Sequence, residues 1–285
     1  MFKKLLPCIL AAVLCAGVFP ETRSEEERRI DISVSVMPPE PTPTPRPKPD
    51  YTDLETTLTV MLENKDGDWS LYFEDYESGD AISINSHQVY SASLIKLFVA
   101  EAAYNQAANG KLTISSSTED QIRKMLTYSD NDAWSALART IGGGSYTNGM
   151  NIVTTTAQND GFADTGQFFK GSHRNYNFTS VNDCGAYLHR ILDGTIISPE
   201  YSEKILNYLK QQQHTQKIPS GVPEGVETAN KTGELEYVQG DAAIVYAPSG
   251  TYILVIIGDS LNDSYSQIPF FGETSEIIYE YVDKE

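Results

Sequence analysis

The chain is organised around SASLIKLFVA, residues 91–100, which reads as a turn that becomes a helix with a hydroxyl at its start. Lys96 follows Ser93 by three positions, and residues three apart share one face of a helix. Ser93 also lies near the positive end of the helix dipole. A serine hydroxyl is a weak nucleophile until a base takes its proton, and a lysine can do this only when its pKa is lowered. The spacing therefore indicates a candidate nucleophile and its base.

Two further motifs follow Ser-x-x-Lys along the chain. Ser-Asp-Asn stands at residues 129–131, and Lys-Thr-Gly stands at residues 231–233. Each motif alone has an ordinary structural interpretation as a helix cap, a turn or a solvated strand lysine. All three in this order are typical of penicillin-recognising enzymes that use an active-site serine. The joint match therefore predicts a serine hydrolase.

Composition and charge limit the class of protein. The chain has 285 residues, of which 40% are hydrophobic and 10% aromatic, so one large domain with a core is possible. The net charge is −18, and residues 1–50 contain equal numbers of basic and acidic side chains. The remainder therefore carries the whole negative charge, which would repel the phosphates of nucleic acids. We expect no nucleic-acid partner.

The N-terminus has the pattern of an export signal. Two lysines precede an apolar run at residues 5–19, which is short for a transmembrane helix of about 20 residues. We predict a signal peptide or N-terminal anchor at 1–20, a charged and proline-rich linker at 21–50, and the hydrolase domain at 51–285. The expected location is extracytoplasmic: secreted, or tethered through the N-terminus to the outer face of a bacterial cytoplasmic membrane.

Hydrophobic periodicity places strands at both ends of the domain and helices between them. A hairpin is predicted around a turn at residues 77–80. Three further strand-like runs lie near the C-terminus, at residues 228–231, 242–247 and 252–257. The pattern predicts an α+β fold in which an antiparallel sheet from both chain ends is flanked by helices, with an inserted helical lobe. A groove between two such lobes is a usual place for a site.

Capping signals predict where the central helices begin. Thr118 opens a capping box, and Ser180 and Ser198 precede two other helical patterns. Residues 162–178 are predicted to be a loop. Cys184 lies in a helical pattern and is expected to be a small buried residue. Because the other two cysteines lie in the leader, we expect no disulfide within the domain.

From about residue 51 to residue 285, the sequence resembles class A β-lactamases and the wider superfamily of penicillin-recognising serine hydrolases. The three motifs carry the resemblance. Residues 217–226 also resemble the family's approach to its inner strand, and residues 240–250 resemble the next strand and turn. The resemblance implies the β-lactamase and transpeptidase-like fold.

The resemblance also implies catalytic roles. Ser93 would be acylated by a β-lactam or peptide carbonyl, with Lys96 as its base or proton shuttle. Ser129 would relay a proton to the leaving nitrogen. Lys231 would meet the substrate carboxylate, keep the site electropositive and help to lower the pKa of Lys96.

The remaining positions of the motifs are implied to bind substrate or hold the backbone. Asn131 would hydrogen-bond the amide side chain of the substrate, and Thr232 would meet its carboxylate. Gly233 would permit close approach, and Asp130 would hold a turn. The backbone N–H groups of Ser93 and Glu234 would form the oxyanion hole. Glu234 is unusual here because it brings a carboxylate to a pocket for an anionic substrate.

One expected catalytic group is missing. Class A enzymes hydrolyse the acyl-enzyme with a water that is activated by a glutamate in the omega loop, whereas residues 161–178 contain no glutamate. Asp164 is the only carboxylate in that segment and is interpreted as a turn residue. We therefore expect slow deacylation.

Three functions stay open at this point. The leading hypothesis is a β-lactamase-like hydrolase that forms an acyl-enzyme at Ser93 with β-lactams or related amides. The second is a D-Ala-D-Ala peptidase or penicillin-binding protein acting on cell-wall peptide, and the third is a non-catalytic cell-wall or β-lactam sensor. We expect a monomer without a cofactor, and no metal site, because the four histidines show no ligand spacing.

Overall fold

A computed structural model of the protein describes residues 50–169 and 175–284. The signal peptide or anchor predicted at 1–20, and all but the last residue of the predicted linker, lie outside the described residues. Strands lie towards both ends of the domain and most of the helices lie between them, as the hydrophobic pattern predicts.

The helices of the described residues are α1 (Thr52–Glu63), α2 (Ile95–Ala108), α3 (Ser116–Thr127), α4 (Asn131–Ile141), α5 (Tyr146–Asn159), α6 (Val181–Leu192), α7 (Pro199–Leu209) and α8 (Ile268–Val282). The strands are β1 (Asp68–Asp75), β2 (Ala81–Ile84), β3 (Val89–Tyr90), β4 (Gly166–Phe169), β5 (Asn175–Thr179), β6 (Glu227–Leu235), β7 (Val238–Ala247) and β8 (Gly250–Asp259). Short 3-10 turns occur at Ala92–Leu94, Ile218–Gly221 and Tyr265–Gln267. Within this part of the chain, no helix has both the length and the apolar surface that crossing a membrane requires.

A five-stranded antiparallel sheet joins the two ends of the domain. Its strand order is β2-β1-β8-β7-β6, so the N-terminal hairpin pairs with the last strand of the chain. The predicted turn at residues 77–80 connects β1 to β2. These observations confirm the predicted α+β architecture. Strand β6, which carries Lys231, is the last strand of the sheet and therefore has one free edge.

Two apolar cores cover the two faces of this sheet. The first includes Trp69 and Phe271 and lies against α1 and α8. The second includes Phe98 and Tyr187 and lies against the helices from the middle of the chain. Helix α2 is in the second core, where ten of its fourteen residues are buried. A helix that is buried on all sides is held by packing. The turn that precedes α2 is therefore attached to a part of the core that packing holds in place.

Side-chain caps fix the starts of the five helices from α3 to α7. Ser180 and Ser198 cap α6 and α7, which confirms both predictions. The capping box predicted at Thr118 is wrong. Ser115 is the N-cap of α3 and its hydroxyl accepts a hydrogen bond from the Thr118 amide at 3.1 Å, so the helix begins earlier. Cys184 in α6 is a buried free thiol, as predicted.

The loop predicted at residues 162–178 is in part a hairpin. Strands β4 and β5 pair antiparallel, and β5 also pairs with the two-residue strand β3. Aromatic side chains stabilise this small sheet: the Tyr90 and Phe178 rings stack with centroids 4.9 Å apart. The sheet brings the segment between α5 and α6 against the residues that lead into the Ser93 turn.

Candidate active site

Ser93 lies in the 3-10 turn that runs directly into α2. The amide of Ser91 donates to the Asn177 carbonyl at 3.0 Å, and the amide of Leu94 donates to the Ser91 carbonyl at 2.9 Å. Ala92 has a positive φ of 45°, which is uncommon for a residue with a side chain and marks a strained backbone. The Ser93 hydroxyl makes no hydrogen bond within residues 50–169 and 175–284. The turn therefore presents a fixed, uncommitted hydroxyl at the start of a buried helix.

Ser129 lies between α3 and α4, and its φ of 57° is also positive. The next residue, Asp130, is the N-cap of α4, and its carboxylate accepts a hydrogen bond from the Ala133 amide at 2.7 Å. This cap places Asn131 at the first position of the helix. The Ser-Asp-Asn motif is thus a helix start whose two outer side chains, Ser129 and Asn131, contact Lys96.

Lys96 is 1% exposed and makes three hydrogen bonds. Its Nζ lies 2.5 Å from the Ser129 carbonyl oxygen, 3.3 Å from the Ser129 Oγ and 2.8 Å from the Asn131 Oδ1. An ammonium group has three N–H donors, so these acceptors use all of them. The first and second motifs are therefore joined through one buried amine.

Lys231 reaches the same hydroxyl from the edge strand β6. Its Nζ lies 2.9 Å from the Ser129 Oγ and 2.7 Å from the Thr232 carbonyl oxygen, and the residue is fully buried. Two buried amines, one from α2 and one from β6, thus meet at Ser129. The structure brings the three sequence motifs together at this point.

Burial changes the proton affinity of both lysines. It lowers the pKa of Lys96 to about 8, and the carboxylate of Asp130 opposes this shift. Burial also lowers the pKa of Lys231 well below its ordinary value, and the nearby charge of Lys96 lowers it further. The shift of Lys96 thus comes from burial, whereas the resemblance ascribed it in part to Lys231. An amine with a pKa of about 8 is partly neutral near neutral pH and can then accept a proton.

Gly233 lets β6 approach the Ser93 turn. A Cβ atom at this position would lie 3.0 Å from the Ser91 carbonyl oxygen and 3.2 Å from the Ala92 Cβ. These contacts are closer than a Cβ ordinarily makes. The third motif therefore packs against the turn of the first through Gly233, and it contacts the second through Lys231.

The side chains of Thr232 and Glu234 lie on the opposite face of β6 from Lys231, because side chains alternate along a strand. Thr232 is buried. The Glu234 carboxylate lies 3.3 Å from the Nζ of Lys217, and its side chain is 40% exposed. Glu234 is therefore paired with a lysine of its own chain.

Lys217 and Asp241 lie outside the three sequence motifs but close to the third. The Asp241 carboxylate, on β7, is buried and accepts hydrogen bonds from the Asn230 side chain at 3.0 Å and the Ile218 amide at 3.1 Å. Burial raises its pKa, and the charge of Lys217 opposes that shift. Both residues stand in segments that resemble the family, but only the register of β6 and β7 shows their proximity to the third motif.

Two acids, Asp164 and Asp183, meet at the turn after α5. The backbone amide of Asp164 donates to the Asp183 carboxylate at 2.9 Å, so Asp164 lies in a turn as predicted. The same carboxylate accepts from the Thr165 hydroxyl at 2.7 Å. Burial raises the pKa of Asp183. The Asp183 carboxylate therefore holds this turn, and Asp164 takes part in it through its backbone amide.

Neutral side chains connect the β4–β5 hairpin to Lys96. The Gln167 amide donates to the Asn177 side chain at 3.2 Å. Burial raises the pKa of the Tyr146 hydroxyl, and the Gln167 side chain opposes the shift. The Tyr146 ring lies 5.8 Å from the Trp134 ring, and the Lys96 Nζ lies 5.8 Å from the Trp134 ring as well.

Across the part of the chain that the structure describes, no group of three His, Cys, Asp or Glu side chains is arranged to hold a metal ion.

Solved structures of similar fold cover nearly the whole domain. PBP-A superposes with a TM-score of 0.73 at 21% identity, over 85% of this chain and 100% of that chain. A mutant of PBP-A, solved as an acyl-enzyme complex with penicillin G, gives a TM-score of 0.71 at 20% identity, over 85% and 100% of the two chains. A β-lactamase from Sphaerobacter thermophilus DSM 20745 gives 0.71 at 19% identity, over 83% and 99%. At these identities the likeness shows a shared fold.

The sequence itself was compared with protein families and with curated proteins. No curated protein matches significantly. The Beta-lactamase enzyme family matches residues 53–118 and 114–282, which is most of the domain. The chain therefore belongs to the β-lactamase enzyme family.

Proposed function

We propose that the protein is an exported serine hydrolase in which Ser93 forms an acyl-enzyme with β-lactams or related amides and releases it slowly. The observation that carries this proposal is the position of the Ser129 hydroxyl. It lies within hydrogen-bond reach of two buried amines, Lys96 and Lys231, beside the turn that presents Ser93. Two buried amines within hydrogen-bond reach of one hydroxyl suit proton transfer.

Acylation uses these groups in sequence. The Ser93 oxygen attacks the carbonyl carbon of the amide while its proton passes to the neutral amine of Lys96. The carbon–nitrogen bond then breaks. The Ser129 hydroxyl gives its proton to the leaving nitrogen, and the protonated amine of Lys96 replaces that proton on Ser129. The products are an ester on Ser93 and an amine, which stays attached to the acyl group when the substrate is a β-lactam. Proton transfer by such positioned groups contributes typically about 10²–10⁴-fold to a rate.

Substrate binding involves the remaining groups of the motifs. Asn131 uses its Oδ1 to accept from Lys96, which leaves its amide N–H groups to donate to a substrate carbonyl. Lys231 has two acceptors within the protein, so one of its three donors is left for a substrate carboxylate. The acyl-enzyme of a PBP-A mutant with penicillin G supports a penicillin as the first substrate to try.

The lack of a carboxylate in strands β4 and β5 supports slow deacylation. Hydrolysis of the ester needs a base for the incoming water, and the side chains that link the hairpin to Lys96 are those of Gln167, Tyr146 and Trp134. Asp164 lies in a turn held by Asp183. This supports persistence of the ester.

The missing base for deacylation also favours a second candidate function. A D-Ala-D-Ala peptidase or penicillin-binding protein has no need of rapid β-lactam hydrolysis, and its natural substrate would be a cell-wall peptide. The TM-score of 0.73 with PBP-A is compatible with this alternative. We propose an extracytoplasmic location in either case, on the basis of the export pattern at residues 1–20.

The mass of the intact protein during incubation with penicillin G tests the proposal. The domain from residue 50 onward would be compared with Ser93→Ala, and with Ser91→Ala as a matched control, because Ser91 is a buried serine in the same turn. We expect a lasting adduct of one penicillin in the parent domain and in Ser91→Ala, and none in Ser93→Ala.

Other outcomes would separate the alternatives. Rapid consumption of penicillin without a lasting adduct would contradict slow deacylation and identify an efficient β-lactamase. A penicillin adduct that accompanies release of D-alanine from a D-Ala-D-Ala peptide would establish the peptidase. Absence of both adduct and turnover in the parent domain would overturn the proposal and leave the sensor.

A further inference from the structure

Lys217 is a buried lysine with no role in the mechanism above. It lies just before the 3-10 turn Ile218–Gly221, beneath the β6–β7 hairpin, and is 1% exposed. Its Nζ donates to the Gly233 carbonyl at 3.1 Å and to the Gly240 carbonyl at 3.0 Å, and lies 3.3 Å from the Glu234 carboxylate. These three acceptors use all three N–H donors of the ammonium group. Lys217 therefore has no donor left for a substrate.

The two carbonyls that Lys217 contacts belong to facing residues. Gly233 on β6 and Gly240 on β7 are direct cross-strand partners. One nitrogen can reach both oxygens only if both carbonyls point into the space between the two strands. The C=O of Gly233 and the N–H of Glu234 belong to one planar peptide unit and point in opposite directions. The Glu234 N–H therefore points away from β7, off the free edge of β6.

The Ser93 turn lies beside this free edge. The position of a Cβ on Gly233 would be 3.0 Å from the Ser91 carbonyl oxygen, so the strand and the turn are in contact. The Glu234 N–H thus points to the side on which the acylated serine lies. This geometry supports the oxyanion donor that the resemblance implies, and it connects that donor to Lys217 through a single peptide bond.

We propose that Lys217 is a positioning residue for acyl transfer: its ammonium group polarises the Gly233–Glu234 peptide and so strengthens the Glu234 N–H as an oxyanion donor. This inference rests on the proposed function of Ser93. A hydrogen bond from a charged donor is stronger than one between neutral groups. Hydrogen bonds in series also polarise one another, so a cation on the carbonyl makes the N–H of the same unit a better donor.

Two carboxylates stabilise the charge of Lys217. Burial lowers the pKa of Lys217, and the charges of Asp241 and Glu234 oppose that shift. The Phe271 ring, 5.2 Å from the Nζ, adds a cation–π contact. Glu234 thus has a use in this site, since it pairs with the cation that acts on its own peptide bond.

The acylation rate of a Lys217→Gln variant tests the proposal. Glutamine keeps two donors for the carbonyls and removes the charge. We expect penicillin to acylate this variant about tenfold more slowly, less than the 10²–10³-fold cost of losing an oxyanion donor outright, with little change in prior binding. Lys217→Arg keeps the charge and should recover most of the rate. Lys210→Gln is a matched control. Lys210 pairs with Glu227, which lies at the start of β6, at the other end of the strand from Gly233 and Glu234.

The infrared band of the acyl-enzyme carbonyl supplies a readout that packing alone would not reproduce. A weaker oxyanion hole polarises the ester less, so the band of Lys217→Gln should move to higher wavenumber and that of Lys217→Arg should return. An unchanged rate and band in Lys217→Gln would overturn this inference while the adduct on Ser93 upholds the proposed function. No adduct in the parent domain would overturn both.

Should Lys217→Gln not fold, the parent domain still decides. With ¹³C-labelled glycine carbonyls, the Gly233 resonance is expected downfield of that of Gly258, a sheet glycine for which the described residues supply no lysine contact. Equal shifts would overturn the proposal.

Discussion

The Nζ of Lys231 lies 2.9 Å from the hydroxyl oxygen of Ser129, although the two residues are 102 positions apart in the chain. The sheet supplies the lysine and the helical lobe supplies the serine, so this hydrogen bond crosses the boundary between the two parts of the domain. The Ser129 hydroxyl also lies 3.3 Å from the Nζ of Lys96, so two amines position it. This pair is therefore the most direct place to test the chemistry.

We expect Ser129→Ala to acylate Ser93 about 100-fold more slowly, which is the lower range for loss of a positioned proton-transfer group. The rate would be followed by adduct formation in the intact mass. Ser260→Ala is the matched control, because Ser260 is an exposed serine that also has a positive φ. An equal loss in both variants would indicate a backbone effect and would count against the proton relay.

The pH dependence of acylation should follow the pKa of Lys96, which is about 8. Only the neutral amine can take the proton of Ser93, so the rate should rise about tenfold per pH unit below that pKa and level off above it. Asp130→Asn should shift the midpoint to lower pH, because the Asp130 charge raises the pKa of Lys96. Asparagine is also a good N-cap, so α4 should keep its start.

The exposed Asp132, two residues further on, provides the control for this measurement. Asp132→Asn removes the same charge and should leave the midpoint in place. A midpoint that moves equally in both variants would mean that the net charge of the surface, and not the Asp130 carboxylate, sets the profile.

Local signals in the sequence predict most of the elements that hold the site. Ser180 and Ser198 are correct caps because an N-cap hydrogen bond is made within one turn of the chain. The loop predicted at residues 162–178 is correct only in part, because β4 and β5 form a hairpin there and β5 also pairs with the two-residue strand β3, which lies far away in sequence. Such a pairing leaves almost no periodicity to detect.

The contacts of Lys217 show a second limit of prediction from sequence. Its position before Ile-Pro-Ser-Gly gives no indication of its partners, since those are two carbonyls brought face to face by the register of β6 and β7. Backbone oxygens carry no sequence signal. The motif residues, by contrast, could be predicted from residue types and order alone, and the structure brings Lys96, Ser129 and Lys231 together.

Gly233→Ala should slow acylation about tenfold, because displacing a catalytic group by 1 Å can cost as much as about 100-fold. The added Cβ would lie 3.0 Å from the Ser91 carbonyl, so either β6 or the Ser93 turn must move. Gly240→Ala is the matched control on the facing strand. There the nearest atom is the terminal side-chain carbon Cδ1 of Leu94, also at 3.0 Å, and not a backbone oxygen. Equal rates in the two variants would contradict a rigid contact between β6 and the turn.

Gln167→Glu should shorten the lifetime of the acyl-enzyme. Gln167 contacts the side chain of Asn177, and the backbone carbonyl of Asn177 accepts a hydrogen bond from the backbone amide of Ser91. A carboxylate at position 167 would therefore stand close to the acylated turn. A carboxylate at this position can accept a proton from water, and we expect decay of the adduct to accelerate at least about tenfold, below the full value of a well-placed base. The measurement is the loss of adduct mass after excess penicillin is removed.

Gln88→Glu is the control for that experiment. Gln88 donates to the Asp164 carbonyl at 3.2 Å, so it contacts the same region of the chain, and its replacement adds the same charge. We expect its adduct to decay at the parental rate. If the adduct of Gln167→Glu also decays at the parental rate, the ester is out of reach of the hairpin. Persistence of the acyl-enzyme must then come from exclusion of water and not from the neutral side chains of β4 and β5.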